Sequence, residues 1–344
     1  MFKTGKGFAA LMALLSVALL ITCLLSLCIG SVDVPLRETV GIVVNALTGS
    51  VLLPFQPENA SILLALRLPR VLLAVLAGAA LSVAGGAMQG LIRNPLADGS
   101  TLGVTSGGSL GAVVAIATGF ALPFLPQLTI TVASIAFSFV SLLVILAFVR
   151  SIDRNLSSNT IILTGVIFSM LMSSLTSLII SFSGDTMRQI IFWSMGSLAG
   201  RGYVYVAILA VFAVVGIAGI LLRARELDAF AMGEEQASYA GVNVKRVRLQ
   251  VLLCVSVLCG AVVSVCGNIA FVGLAIPHIV RLAIGPVNTR LLPASAIVGA
   301  IFLTLCDLLS RTMLRPLEMP IGVLTSIFGA IVFIALFYRQ RKGA

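Results

Sequence analysis

Long apolar runs alternate with short polar connections along almost the whole chain. A bilayer-spanning α-helix needs about 20 mostly apolar residues, and most of these runs reach that length. The pattern predicts an all-α membrane protein in which residues 1–344 form one domain with ten transmembrane helices. The eighth helix is short and contains Pro277. The predicted helices cover residues 8–30, 68–91, 101–120, 126–150, 160–183, 202–223, 247–271, 273–284, 291–312 and 320–338.

The distribution of Lys and Arg predicts the side of the membrane on which each connection lies. If the N-terminus is cytoplasmic, fifteen of the 22 Lys and Arg residues fall in cytoplasmic segments and seven in outer segments. This bias follows the positive-inside rule and predicts that both termini are cytoplasmic. The run at 8–30 is too long for the apolar region of a typical signal peptide, so we expect a retained helix.

Composition narrows the class of protein further. Hydrophobic residues make up 59% of the chain and charged residues 10%, with a mean hydropathy of +1.16. A soluble domain carries about a quarter charged residues, so a lipid bilayer is the expected environment. The net charge of +10 comes with no basic face or aromatic-rich binding motif, so we expect no nucleic-acid partner. The six Cys residues form no CxxC pair, and one His cannot build a metal cluster, so we expect neither metal nor cofactor.

Two polar connections are longer than the rest. The outer segment 31–67 has apolar residues at helical spacing over 36–47, which predicts a short interfacial helix. The cytoplasmic segment 223–248 is too polar to enter the bilayer, and we expect Gly233 and Gly241 to divide it into short helices. Its apolar surface favours contact with a cytoplasmic partner protein rather than a solvated loop, and we assign this surface to Ala231, Met232, Ala237, Tyr239 and Ala240.

Small residues recur at a spacing of four in the second predicted helix. Gly78, Ser82, Gly86 and Gly90 therefore share one face. Small residues at this spacing let two membrane helices approach closely, so we interpret the face as a helix-packing surface rather than a substrate site.

Few ionisable residues lie at membrane depth. Asp307 is four residues before Arg311, so the two side chains can pair along one helix. His278 follows Pro277, and its ring is expected to bond a backbone carbonyl that the proline leaves free. A role for His278 in transport is the alternative.

Several kinds of chemistry are missing from the sequence. It contains no GxxxxGK[ST] motif and no paired membrane-buried carboxylates of the kind that a proton- or sodium-coupled carrier needs. Ser106 and His278 are the only candidate hydrolase pair, and neither has an orienting acid. We therefore expect no catalytic residues and interpret the chain as a transport subunit powered by a separate protein. A self-sufficient secondary carrier or channel, and more remotely an intramembrane enzyme, stay as alternatives.

Six motifs then occur in a fixed order. They are RLPR at 67–70, GxxMQxxxRNPLA at 85–97, FWSMGS at 192–197, FVGLAIPHIVR at 271–281, LLPASAIVGA at 291–300 and EMPIGVLTSIFGA at 318–330. Over essentially its whole length the chain resembles the FecCD/BtuC-like permease family of binding-protein-dependent ABC importers for iron chelates, haem and cobalamin. The resemblance implies a multi-pass subunit of the bacterial cytoplasmic (inner) membrane. It also implies three kinds of partner: a second permease subunit, identical or paralogous, two cytoplasmic ATPase subunits, and an extracytoplasmic substrate-binding protein.

The resemblance also implies roles for particular residues. Arg67, Arg70 and Arg311 resemble the outer arginines that meet acidic residues of the binding protein. Ser157, Ser158 and Asn159 resemble the cytoplasmic gate between the fourth and fifth helices. The helices that sit on the ATPase are matched by Gly233, Glu234, Glu235, Ala237, Tyr239, Ala240, Gly241 and Val242.

The substrate follows only from the family. The resemblance implies an Fe(III)-siderophore, with cobalamin or haem as alternatives within the family. Where the family usually has Gly-Pro-Ile, this chain has Gly267-Asn268-Ile269, which bears on the pathway lining. Whether Asn268 or His278 contacts the substrate is left open by the sequence.

Overall fold

The computed structural model describes residues 5–30, 32–49, 55–153 and 156–342, and these ranges contain helices but no strand. Lys3 and Arg154, counted above as cytoplasmic, lie outside them. The described chain forms fifteen α-helices: α1 (Gly5–Cys28), α2 (Leu36–Thr48), α3 (Pro57–Ser61), α4 (Leu68–Ile92), α5 (Val104–Thr118), α6 (Thr129–Ile152), α7 (Ser158–Phe182), α8 (Met187–Ser194), α9 (Tyr203–Leu221), α10 (Ala224–Phe230), α11 (Glu234–Tyr239), α12 (Val244–Cys266), α13 (Val272–Ile284), α14 (Asn288–Ser310) and α15 (Ile321–Lys342).

A helix lies over each of the ten predicted spans. By length and composition, seven helical stretches of the described chain can cross a membrane: Lys6–Cys28, Pro57–Ile92, Pro126–Ile152, Ser158–Phe182, Tyr203–Leu221, Val244–Cys266 and Asn288–Ser310. Three apolar helices are shorter, namely α5, α13 and the Ile321–Ile334 part of α15. The seventh span is shorter than expected because α12 ends at Cys266, where the backbone turns at Gly267.

The second span begins earlier than its apolar run. Helical structure starts at Pro57, and a π-helical stretch from Ile62 to Arg67 leads directly into α4. Pro69, which would stand in the first turn of the helix predicted over 68–91, therefore lies inside a continuous helical stretch. A proline inside a helix removes one backbone hydrogen bond and crowds the preceding turn, and a wider π turn next to it is a common way to accommodate this.

The α4 helix lies at the centre of the molecule, in contact with α9, α12, α13 and α14. From Ala80 to Ile92 all its residues are buried. By contrast, α1 and α7 are the most exposed of the seven long apolar stretches. An apolar helix with so much uncovered surface needs lipid or a partner around it.

The four small residues on α4 face α13 and α14. A Cβ atom at Gly78 would overlap the carbonyl of Gly299, so the two backbones are in direct contact there. Ser82 lies against the same glycine, Gly86 has Leu292 of α14 and Pro277 of α13 beside it, and Gly90 has Asn288. Close backbone approach maximises van der Waals contact between membrane helices, which explains why no larger side chain fits at Gly78.

Candidate functional site

Charged and polar groups gather at two ends of the helix bundle. We call the end that carries Arg67, Arg70 and Arg311 the arginine end, and the end that carries residues 223–248 the loop end. Each end holds one set of the residues that sequence analysis singled out.

At the arginine end, Asp307 joins two arginines. Its carboxylate is fully buried, and its Oδ1 lies 2.8 Å from Nε of Arg70 while its Oδ2 lies 3.3 Å from Nε of Arg311. The Arg311 pair is the one predicted from the spacing of four. The Arg70 contact connects α4 with α14 and was not predicted. The two guanidinium groups offset the free-energy cost of burying the Asp307 charge. Removing the carboxylate, or both arginines, would leave buried charge without its partner.

Arg67 and Arg311 also cap the end of α1. The last carbonyls of a helix have no partners within it. Arg67 donates from Nη1 to the carbonyls of Leu27 and Cys28, at 2.6 and 2.9 Å, and Arg311 donates from Nη2 to the carbonyl of Ser26 at 2.6 Å. Positive charge at a helix C-terminus is also favoured by the helix dipole. Both side chains are about 95% buried, so neither stands free at the surface as the prediction of outward-facing docking residues assumed.

Of the three predicted arginines, Arg70 is the one that pairs with a half-exposed carboxylate. Its Nη1 lies 2.9 Å from Oε2 of Glu318, whose side chain is 46% exposed. A cleft of about 310 Å³ opens beside this pair and is lined by Arg67, Arg70, Arg201, Arg311 and Glu318, among others. Four guanidinium groups and one carboxylate make the cleft wall basic. The docking role of all three predicted arginines stays a prediction, and Arg70 has the geometry that suits it best.

At the loop end, residues 223–248 fold into α10 and α11. Gly233 and Gly241 separate these helices from their surroundings with φ values of +120° and +85°, a region that favours glycine. Tyr239 is 90% exposed and Met232 64% exposed, so an apolar surface does face outward. Ala237 is not part of it, because its side chain is completely buried.

One buried arginine links α11 to the predicted gate. Arg248 on α12 is 1% exposed, and its Nη1 donates to the carbonyl of Leu156 at 2.6 Å while its Nη2 lies 2.5 Å from Oε1 of Glu234. Leu156 immediately precedes the polar turn at Ser157. A guanidinium has five N–H donors in a fixed planar arrangement, so it can hold both groups in a defined relative position.

The predicted gate residues form the start of α7. The backbone N–H of Ser157 donates to Oδ2 of Asp153 at 2.9 Å, and its hydroxyl lies 2.9 Å from that of Thr160. Ser158 is half-buried and Asn159 is exposed. The turn thus combines local polar contacts with buried apolar residues on either side, Leu156 and Ile161. The gate role of the three predicted residues stays a prediction.

The residues that follow α4 determine where this helix ends at the loop end. Arg93 adopts a left-handed conformation that stops the helix before Asn94-Pro95. Asp98 then caps a short 3₁₀ turn by accepting hydrogen bonds from the N–H groups of Ser100 and Thr101 at 3.0 and 3.2 Å. Burial raises the pKa of the Asp98 carboxyl, and these hydrogen bonds act against that rise.

His278 lines a polar cavity rather than bonding a carbonyl freed by proline. Its Nδ1 has no hydrogen-bond partner among the described residues, and its ring lies 5.7 Å from that of Phe333. The cavity, of about 390 Å³, also has Gln89, Arg281 and Asn288 in its wall. Asn268 is exposed in the turn between α12 and α13 and does not line this cavity.

Sequence reasoning missed the two residues that organise these ends. Arg248 was counted only among the cytoplasmic basic residues, although it shares a helix face with the buried residues Val251 and Leu252. A charge within an apolar stripe was the signal that could have identified it. Glu318 lies in a loop before α15, and nothing in its sequence neighbourhood indicates Arg70 as its partner.

The described residues form a helical protein with membrane-length apolar helices, a compact polar loop at one end and a buried ion-pair cluster at the other, an architecture that suits a multi-pass membrane transport protein. A sequence model of the FecCD transport family matches residues 18–339, and the chain belongs to this family. It is therefore a multi-pass membrane permease of a bacterial ABC importer family, and it resides in the inner membrane.

Individual relatives extend over nearly the same length. The uncharacterized ABC transporter permease protein YvrB of Bacillus subtilis is 42% identical, over 94% of this chain and 92% of that protein. The hemin transport system permease protein HmuU of Yersinia pestis is 39% identical, over 80% of this chain and 83% of its own. A solved metal-chelate type ABC transporter in an inward-facing conformation is similar with a TM-score of 0.84 at 30% identity, over 96% and 99% of the two chains.

Proposed function

We propose that this chain is the membrane-spanning permease subunit of an ABC importer that carries an Fe(III)-siderophore inward, using ATP hydrolysed by a separate subunit. Membership of the FecCD transport family and similarity to a hemin permease and to a metal-chelate type transporter support this class of cargo. We further propose ten membrane spans, with the seven long apolar stretches joined by the three shorter apolar helices, and both termini in the cytoplasm. The working unit pairs two permease subunits with two ATPases at the loop end and a binding protein at the arginine end.

The contact that carries this proposal is the double contact of Arg248. A permease powered by a separate ATPase must convert a movement at its cytoplasmic surface into a change at its gate. Glu234 is on α11, the helix that bears the exposed Tyr239, and Leu156 adjoins the polar turn at Ser157. Arg248 connects the two through one rigid group. A force applied to α11 by the ATPase would therefore reach the start of α7 without passing through a flexible segment.

This coupling is tested by Arg248→Gln and Glu234→Gln in the reconstituted permease–ATPase complex. Arg248→Gln removes both contacts, and Glu234→Gln removes the ion pair. Contacts of a charged group of this kind are worth about 1.5–3 kcal/mol, so we expect roughly a tenfold lower uptake per ATP hydrolysed. Uptake of ferric siderophore and phosphate release are measured on the same proteoliposomes.

Glu226→Gln is the matched control. Glu226 lies in the same loop and pairs with Arg223 at 2.9 Å, but this pair is partly exposed and does not reach the gate. Its loss should leave uptake per ATP within about twofold of the wild type. Wild-type coupling in both test variants would show that Arg248 does not transmit the movement.

At the arginine end we propose that a carboxylate of the binding protein replaces Glu318 on Arg70. Arg70 contributes a guanidinium fork, which suits a carboxylate, and Glu318 is exposed enough to move aside. Arg67 and Arg311 then contribute positive potential to the cleft while they keep the end of α1 in place. An exposed pair gives little affinity by itself, so docking needs several such contacts and shape complementarity.

Simple measurements distinguish two alternative functions from the proposed one. A cobalamin or haem permease of the same family predicts that the partner binding protein prefers those ligands to ferric siderophores in a binding assay. A self-sufficient carrier or channel predicts substrate flux through the chain reconstituted alone. Co-purification with an ATPase, and flux only when that ATPase and ATP are present, would support the importer.

A further inference from the structure

An amphipathic groove lies between α6 and α12 at the loop end. Its apolar part has a volume of about 720 Å³ and is lined mainly by leucines of the two helices, Leu143, Leu146, Leu249 and Leu253. Leu143 is 64% exposed, so the groove opens on the outer surface of the chain. The leucines of each helix recur at spacings of three or four, which places each pair on one helix face.

A polar compartment adjoins this groove at its loop-end edge. It has a volume of about 640 Å³ and is lined by Ala147, Arg150, Ser151 and Lys245. Ala147, Arg150 and Lys245 also line the apolar part, so the two compartments are continuous, and Arg246 stands at the same edge. The groove therefore has a positively charged part at its loop-end edge and an apolar part along the two helices.

The charges in this edge are all positive. No Asp or Glu lines either compartment, and the ion pairs found within the described residues do not include Arg150, Lys245 or Arg246. Lys245 and Arg246 lie in the first turn of α12, which has no acidic residue. Positive charge at a helix N-terminus is unfavourable with respect to the helix dipole, so an anion placed there would be stabilised by both the side chains and the dipole.

We propose that this groove binds one anionic phospholipid of the cytoplasmic leaflet. Its phosphate lies among Arg150, Lys245 and Arg246, and one acyl chain lies along the leucines of α6 and α12. Basic pockets between membrane helices on the cytoplasmic side suit such headgroups, and anionic lipid is attracted there by each nearby Lys or Arg. The snorkelling of isolated basic residues to general lipid does not explain why the three cations converge on one groove with apolar walls. The proposal does not depend on the transported substrate.

The groove has a structural consequence for the permease. Leu156, whose carbonyl accepts from Arg248, also lines the apolar compartment. A bound lipid would pack against the same residue that joins Arg248 to the predicted gate. We therefore expect the lipid to stabilise the contact between α6, the gate turn and α12.

Native mass spectrometry of the delipidated permease–ATPase complex tests the proposal. Phosphatidylglycerol is titrated against phosphatidylcholine, and retained lipid is counted per permease chain. We expect one retained phosphatidylglycerol and no comparable retention of phosphatidylcholine. The variant R150Q/K245Q/R246Q should bind phosphatidylglycerol about tenfold or more weakly. The control K6Q/R93Q/R225Q removes the same charge outside the groove and should change binding less than twofold.

A second variant separates a lipid from other anions. Leu249→Trp fills the apolar compartment without changing charge, so it should also weaken phosphatidylglycerol binding, and its folding is checked by thermal unfolding of the complex. Displacement of the lipid by excess inorganic phosphate would assign the site to free phosphate instead. Equal retention of phosphatidylcholine, or equal loss in the control and the R150Q/K245Q/R246Q variant, would overturn the proposal. Unchanged lipid binding with loss of the ATPase from that variant would assign the cations to the ATPase interface.

Discussion

The arginine end and the loop end use the same residue type in different ways. At the arginine end, Arg67, Arg70 and Arg311 hold partners that belong to helices of the bundle, and two of these arginines are about 95% buried. At the loop end, Arg248 joins the half-exposed Glu234 of the short helix α11 to the carbonyl of Leu156 at the start of the polar turn. The first arrangement joins helices of the bundle to one another, and the second joins the 223–248 loop to the start of α7. Arginines are deeply buried in both arrangements, so burial alone does not distinguish an arginine that joins bundle helices from one that joins a loop to a helix start.

The largest expected effect tests the fixed character of the arginine end. Asp307→Asn removes the buried charge that compensates Arg70 and Arg311, and breaking a buried ion pair in this way costs about 3–5 kcal/mol. We expect a clearly lower midpoint of thermal unfolding for the detergent-purified protein. Glu226→Gln, which breaks the partly exposed pair with Arg223 at the loop end, should change the midpoint little. Equal midpoints for the two variants would remove the distinction between the ends.

A smaller effect tests the proposed coupling role of the loop end. Gly241 has φ +85°, and a side chain there meets no neighbouring atom within 4 Å, so Gly241→Ala introduces backbone strain without a steric clash. The strain costs about 1 kcal/mol and acts on the end of α11. We expect lower uptake per ATP with an unchanged midpoint of unfolding.

Gly119→Ala is the matched control for that change. Gly119 has φ +63° and equally open surroundings, but it follows α5, away from the 223–248 loop. Its replacement should leave uptake per ATP unaltered. A similar loss of uptake in both variants would mean that general strain, and not the position of α11, is responsible.

The smallest expected effect concerns the exchangeable pair of the arginine end. Glu318→Gln frees Arg70 from an exposed partner that holds it with about 0.2–1 kcal/mol. If a carboxylate of the binding protein takes that place, its affinity for the permease should rise about 1.5- to 5-fold, as measured by biolayer interferometry at low salt. The same change should not lower the unfolding midpoint as Asp307→Asn does. Unchanged or weaker docking in Glu318→Gln would contradict the exchange.

Local patterns in the sequence account for much of the fold and for part of each end. Apolar runs located the helices, because burial in lipid requires continuous apolar surface, and Gly233 and Gly241 do interrupt the 223–248 segment. The Asp307–Arg311 pair followed from helical spacing alone. Patterns of this kind predict contacts only between residues a few positions apart on the same helix.

Contacts between helices that are far apart in the sequence could not be predicted from local patterns. Arg70 and Asp307 are 237 positions apart, and Arg248 is 92 positions from Leu156. Helical periodicity shows which face of a helix is apolar, but it does not show which helix covers that face. The predicted roles of Arg67 and Arg311 came from the family resemblance, whereas their hydrogen bonds are decided by where the end of α1 lies in three dimensions.

The direct backbone contact between Gly78 and Gly299 has a mechanical consequence. No side chain separates the two backbones, so α4 and α14 cannot slide past each other without losing this contact. We therefore expect the two helices to move together as one rigid unit. The 23 residues of α14 make it about 35 Å long. It carries Asp307 near one end, and at the other the backbone N–H of Asn288 donates to Oδ1 of Asp228 on α10 at 2.5 Å. A tilt imposed at the Asp307 end of α14 would therefore displace α10 at the opposite end of the helix.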